Sequence, residues 1–196
     1  INTVGIWVID TALTQCKKWR EYIPNFTVSV NISPKQLEKK SIAPQITRLL
    51  AKHNLPGEAL ILEITESSQL DENEDVLSVL EKLRCSNIQI AIDDFGTGYS
   101  NLGNLKNIHA NILKVDRVFI RDITENGYNY NLIHNIIEFA KANSLKVCLE
   151  GIETTAELLV ISSLTPDIFQ GYLFDKPCTP NELEEKYMKP GSEKYT

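Results

Sequence analysis

Along the chain, six short stretches alternate apolar and polar residues with the period of a strand, and the segments between them carry apolar residues at helical spacing. The period-two stretches are Thr27–Ser33, Leu60–Thr65, Gln89–Asp94, Ile112–Asp116, Lys146–Glu150 and Ile168–Phe174. Helical spacing predicts amphipathic helices at Lys35–His53, Glu72–Arg84, Asn131–Asn143 and Thr154–Ser163, with a shorter one near Asn181–Tyr187. Ile6, Ile9, Leu13 and Cys16 share one face of an opening segment, Ile1–Arg20, that has no basic leader and reads as a helix instead of a signal peptide. Strands alternating with helices from start to finish define an α/β fold with a parallel sheet.

Side chains of a strand point to alternate faces, so each strand can be sorted by parity. One face carries Val28, Val30, Ile32, Leu60, Leu62, Ile64, Ile90, Ile92, Leu113, Val115, Val147 and Leu149, all suited to packing beneath helices. The other carries Asn31, Glu63, Asp93, Lys114, Asp116, Glu150 and Gln170, mostly near the C-terminal strand ends. Polar groups collected there are the mark of a parallel barrel, whose active site is built at that face. The pattern predicts a (β/α)₈ TIM-type barrel. Eight strands and about 250 residues are typical of that fold, so six strands imply that the first one or two strand-helix units lie outside this sequence. Its start at Ile1, with Met188 as its one methionine, points the same way. Residues 1–196 are therefore expected to be one N-terminally truncated domain.

Composition narrows the function. With 42% hydrophobic and 23% charged residues and no apolar run near 18, the chain is neither disordered nor membrane-spanning. A formal net charge of −6 gives no bulk attraction to long nucleic acid, so a nucleotide ligand would need a metal or a local site. Cys16, Cys85, Cys148 and Cys178 form no CxxC pair, which excludes a zinc ribbon and suits reduced thiols in the cytosol. His53, His109 and His134 have no metal-ligand spacing and read as surface or packing residues.

The remaining chemistry is carboxylate chemistry. Glu63, Asp93, Asp94, Asp116, Glu150 and Glu153 would crowd one strand-end face, with Lys114 as the cation among them. Such charges, about 4 Å apart, repel by roughly 4 kcal/mol at an effective dielectric of 20, which raises pKa values or recruits cations. Oxygen-only donors with an Asn select Mg²⁺ or Mn²⁺ ahead of zinc. The neighbours Asp93 and Asp94 would point to opposite faces of a regular strand, so both reach one site only if the strand ends there, as Phe95–Gly96–Thr97–Gly98 suggests. DDFGTG is not a phosphate loop, because GxxxxGK[ST] is absent and GxGxxG is incomplete.

These motifs together resemble the EAL-domain cyclic-di-GMP phosphodiesterases. The resemblance is carried by VNIS at Val30–Ser33, LEITES at Leu62–Ser67, IDDFGTGYSNL at Ile92–Leu102, LKVDR at Leu113–Arg117, LEGIE at Leu149–Glu153 and QGYLFDKP at Gln170–Pro177. It implies a modified (β/α)₈ barrel that opens cyclic-di-GMP to linear pGpG with two Mg²⁺ or Mn²⁺ ions. Asn31, Glu63 and Asp93 match ligands of one ion, and Asp93 and Asp94 ligands of a second. Glu150 matches a general base or partner of the metal and its water, and Lys114 the lysine that holds the attacking water. Asp116 and Glu153 match supporting acids, Gln170 a site glutamine, and Glu66 the anchor of the DDFGTG loop in active, dimerising members. The resemblance also implies a cytoplasmic homodimer and allows a sensor or GGDEF domain upstream. The family's name-giving Glu-Ala-Leu and its substrate arginine would precede Ile1; the literal Glu58–Ala59–Leu60 follows Pro56–Gly57 and reads as a solvated turn. A catalytically inactive module that binds the dinucleotide or a protein is the alternative.

Overall fold

The computed structural model describes residues 2–65, 73–96, 105 and 108–188. Glu66 and the Thr97–Gly98 end of the DDFGTG motif lie outside the described residues. Helix α1 (Asn2–Arg20) precedes strand β1 (Val28–Asn31), followed by α2 (Pro34–Leu37), α3 (Ile42–His53), β2 (Leu60–Thr65), α4 (Glu74–Cys85), β3 (Gln89–Phe95) and β4 (Ile112–Val115). The chain continues through α5 (Tyr128–Ala142), β5 (Lys146–Leu149), α6 (Thr155–Ser162), β6 (Ile168–Phe169) and α7 (Pro180–Tyr187). All six strands are parallel and stand in sequence order in one curled sheet, a partial TIM-type barrel whose described edges are β1 and β6.

Two expected elements are shorter than their apolar patterns suggested. The helix expected at Lys35–His53 is two helices separated at residues 38–41. Leu37 and Ile42 are both buried but lie five positions apart, about 140° around a continuous helix, so the break lets both face the core. The strand expected at Ile168–Phe174 ends at Phe169. Beyond it the chain wraps Ile152, whose N–H donates to the Gln170 carbonyl (3.1 Å) and whose carbonyl accepts from Leu173 N–H (3.0 Å). A Cβ on Gly171 would stand 2.1 Å from the Ile152 carbonyl oxygen, so this turn requires glycine.

Strand parity determines the layers. Leu60, Leu62, Ile64, Ile90, Ile92, Leu113, Val115, Val147 and Leu149 are buried with helix residues such as Leu13, Ile46, Val79 and Ile137 in the main core. The opposite face has a small apolar floor of Ala91, Ile112 and Cys148, with Ile61 packed against it. The carboxylates sit on this second face. Helix α1 docks through Ile9, Leu13 and Cys16, and Asp10 reaches α3, 2.9 Å from Lys52 Nζ and 2.6 Å from His53 Nε2. Gln15 Nε2 (2.7 Å) and Trp19 Nε1 (3.1 Å) donate to Glu184 Oε1, tying α1 to α7. Thus His53 is a packing residue, and all four cysteines are free. Among the described residues no helix is long and apolar enough to cross a membrane.

Candidate active site

Four strands bring their polar residues to one point. Glu63 is the register partner of Asn31 on β1, and Lys114 that of Cys148 on β5. Lys114 Nζ stands 3.0 Å from Glu63 Oε2, 2.9 Å from Asp93 Oδ1 and 2.8 Å from Glu150 Oε1. Its side chain is only 9% exposed. Each contact is worth about 5 kcal/mol of gross Coulomb attraction at an effective dielectric of 20, offset by the desolvation of the ions. Burial alone would lower the lysine pKa, but Glu150, Asp93 and Glu63 outweigh it and hold the ammonium well above its ordinary range. Lys114 is therefore a permanent cation.

Glu150 follows β5, and its N–H extends the ladder by donating to the Val115 carbonyl (3.1 Å). Burial raises its carboxyl pKa; Lys114 opposes this, Asp93 and Glu63 reinforce it, and the net shift is upward. Its Oε1 touches the Lys114 charge but has no hydrogen-bond partner among the described residues. A partly buried carboxylate with a raised pKa and an oxygen lacking an aligned donor is equipped to take a proton. Beneath it, burial first and Glu150 second push the Cys148 thiol up to about 12. That thiol is inert at neutral pH and serves as floor.

Asp93 and Asp94 reach the site by a route different from the strand end expected. Strand β3 continues to Phe95, but Ile92 pairs with Leu113 and Phe95 with Val115. Two aspartates thus oppose Lys114 alone, which is a β-bulge, and Asp94 takes the left-handed conformation (φ 56°). The bulge turns consecutive side chains toward one site, which a regular pleat forbids. Desolvation, then the charges of Asp93 and Asp116, raise the Asp94 pKa even though the residue lies at the exposed rim.

The other expected residues surround this centre without touching Lys114. Asp116 Oδ1 accepts from Val118 N–H (2.8 Å), capping the turn at Arg117–Phe119. Asn31 is exposed beside Glu63, and Gln170 and Glu153 line a cavity of about 200 Å³ next to Glu150. Arg117 and Tyr172 also line this cavity; carboxylate reasoning overlooked them, although both stand inside the LKVDR and QGYLFDKP motifs. Glu58 is exposed in a one-turn helix (Gly57–Ala59) at the opposite end of β2, as a solvated turn should be.

Asn31, Glu63, Asp93 and Asp94 form an all-oxygen donor set whose negative charge exceeds what one ammonium neutralises, which fits a hard divalent cation. In this conformation the carboxylates close on Lys114, and no three His, Cys, Asp or Glu side chains among the described residues converge on a separate cation position.

A curled parallel sheet with carboxylates and one buried lysine gathered at its C-terminal strand ends is the architecture of a partial TIM-type barrel with its polar site at the usual face. Comparison makes the assignment specific: residues 1–177 match the EAL domain family, and the chain belongs to it. It is 35% identical over 185 residues to the signaling protein YkoW of Bacillus subtilis, covering 94% of this chain and 23% of YkoW. It is 34% identical over 187 residues to the cyclic di-GMP phosphodiesterase PdeF of Escherichia coli, covering 93% of this chain and 25% of PdeF. The phosphodiesterase of Pseudomonas aeruginosa MucR, solved with cyclic-di-GMP, superposes with a TM-score of 0.83 at 32% identity, over 93% of this chain and 80% of that one. The chain spans about a quarter of the length of the curated relatives it matches.

Proposed function

We propose that this protein hydrolyses cyclic-di-GMP to pGpG with Mg²⁺ or Mn²⁺. The observation that carries the reading is Lys114 Nζ held by Glu63, Asp93 and Glu150 at the strand ends, with the Asp93–Asp94 bulge opposite it. Asn31, Glu63 and Asp93 would hold one cation, and Asp93 and Asp94 a second, with Glu150 at their margin. Bound there, divalent ions would supply an acidified water and neutralise phosphoryl charge. Lys114 orients the attacking water through its ammonium. Glu150 accepts the water's proton as the new O–P bond forms, and as the P–O3′ bond breaks the departing O3′ takes a proton from solvent to become a free 3′-hydroxyl. Asp116 fixes the turn beside the site, and Glu153 and Gln170 bound the substrate cavity.

The same reading makes the protein a cytoplasmic homodimer that works with a sensor or GGDEF domain. The test is turnover of cyclic-di-GMP by the purified protein with each metal. Mg²⁺ and Mn²⁺ should support it, while Ca²⁺, larger and looser in its coordination, should inhibit. Equal turnover in EDTA would reject the metal mechanism, and dinucleotide binding without turnover would establish the inactive-module alternative.

A further inference from the structure

The cavity beside Glu150 is bounded by three carboxylates, Asp116, Glu150 and Glu153, yet Arg117 also lines it, as its one cation among the described residues. No carboxylate among the described residues lies within 4 Å of the guanidinium to form an ion pair, although Asp116 is its chain neighbour. The arginine stem is placed by the fold: Gly151, at φ 72°, admits it so closely that a Cβ there would stand 2.1 Å from Arg117 Cβ. Tyr172 forms another wall and is 56% exposed. It follows Gly171, whose backbone is pressed onto Ile152, and Lys176 Nζ lies 6.0 Å from its ring centroid. At about 200 Å³ the space suits one nucleobase, and it shares Asp116, Arg117, Gly151 and Glu153 with a neighbouring cavity of about 770 Å³.

Building on the phosphodiesterase reading, we propose that Arg117 and Tyr172 form a nucleotide subsite, the guanidinium holding a phosphate and the tyrosine ring stacking a purine. A planar guanidinium fork matches phosphate oxygens bidentately. An exposed aromatic ring beside cations is a platform for a base. Neither residue touches the reacting atoms; both select and position the substrate.

The test uses the purified protein, cyclic-di-GMP turnover, and competition by GMP or ribose 5-phosphate. Tyr172→Leu should raise KM about tenfold or more with kcat within about threefold. It should weaken GMP inhibition while leaving ribose 5-phosphate inhibition unchanged, and Tyr172→Phe should behave as wild type. Arg117→Ala should weaken both inhibitors, and Arg117→Lys should not restore them, because an ammonium lacks the fork. Wild type that neither binds nor hydrolyses cyclic-di-GMP would overturn the phosphodiesterase reading, and this proposal with it. Active wild type with either Tyr172→Leu or Arg117→Ala within twofold in KM and inhibitor affinity would overturn the subsite alone.

Discussion

At the scale of single residues, Lys114 joins folding and chemistry in one group. Its ammonium holds three carboxylates that would otherwise repel one another on a largely buried face. If Lys114 holds the attacking water as proposed, Lys114→Ala should lower turnover roughly 10²-fold or more, because that interaction would be lost in the transition state. The same change leaves buried carboxylates uncompensated, at a cost of about 3–5 kcal/mol in the metal-free protein. Urea titration checks the second effect. Added Mg²⁺ should recover part of the lost stability, because it replaces the missing positive charge. Normal turnover by the variant would remove Lys114 from the mechanism.

At the scale of elements, the site depends on places where regular structure is interrupted. Gly171→Ala would put a methyl against the Ile152 backbone, which cannot move like a side-chain tip. It should destabilise by about 1–3 kcal/mol or more, read as a lower thermal midpoint, and displace Gln170 from the cavity. The contact of α1 with α3 gives a pH signature. His53 first, and Lys52 second, hold the Asp10 carboxyl below the usual carboxylate range. A depressed folded pKa contributes stability that is present above the unfolded value of about 3.9 and is lost as pH falls through the folded value. Asp10→Asn should therefore lower stability above about pH 4, and the two proteins should converge in stronger acid. With Asp10 a third exposed, the difference should be about 0.2–1 kcal/mol, measured by denaturation across pH 3–7.

At the scale of the molecule, the two faces of one sheet divide the work: the outer face makes the main apolar core, and the inner face has only a small apolar floor beneath a charged rim. Excess negative charge at that rim makes the native state the preferred cation binder. Mg²⁺ or Mn²⁺ at 100 times its Kd should stabilise the protein by about 2.7 kcal/mol, and Asp93→Asn should reduce that gain. Thermal melts with and without EDTA measure it, and a midpoint indifferent to metal would contradict the assigned donor set.

Strand parity, readable from residue type alone, determined the parallel α/β layering and placed Glu63, Asp93, Lys114 and Glu150 on one face, because alternation is a local property of extended backbone. The motifs determined the family in the same way. Tertiary structure decided what depends on partners distant in sequence. The break between Leu37 and Ile42 follows from where the core lies, and the early end of β6 from the Ile152 backbone. The convergence of Asp93 and Asp94 follows from a bulge set by pairing with β4. Arg117 and Tyr172 became visible only when the turns after β4 and β6 met across Glu150, since no periodicity records which loops share a cavity.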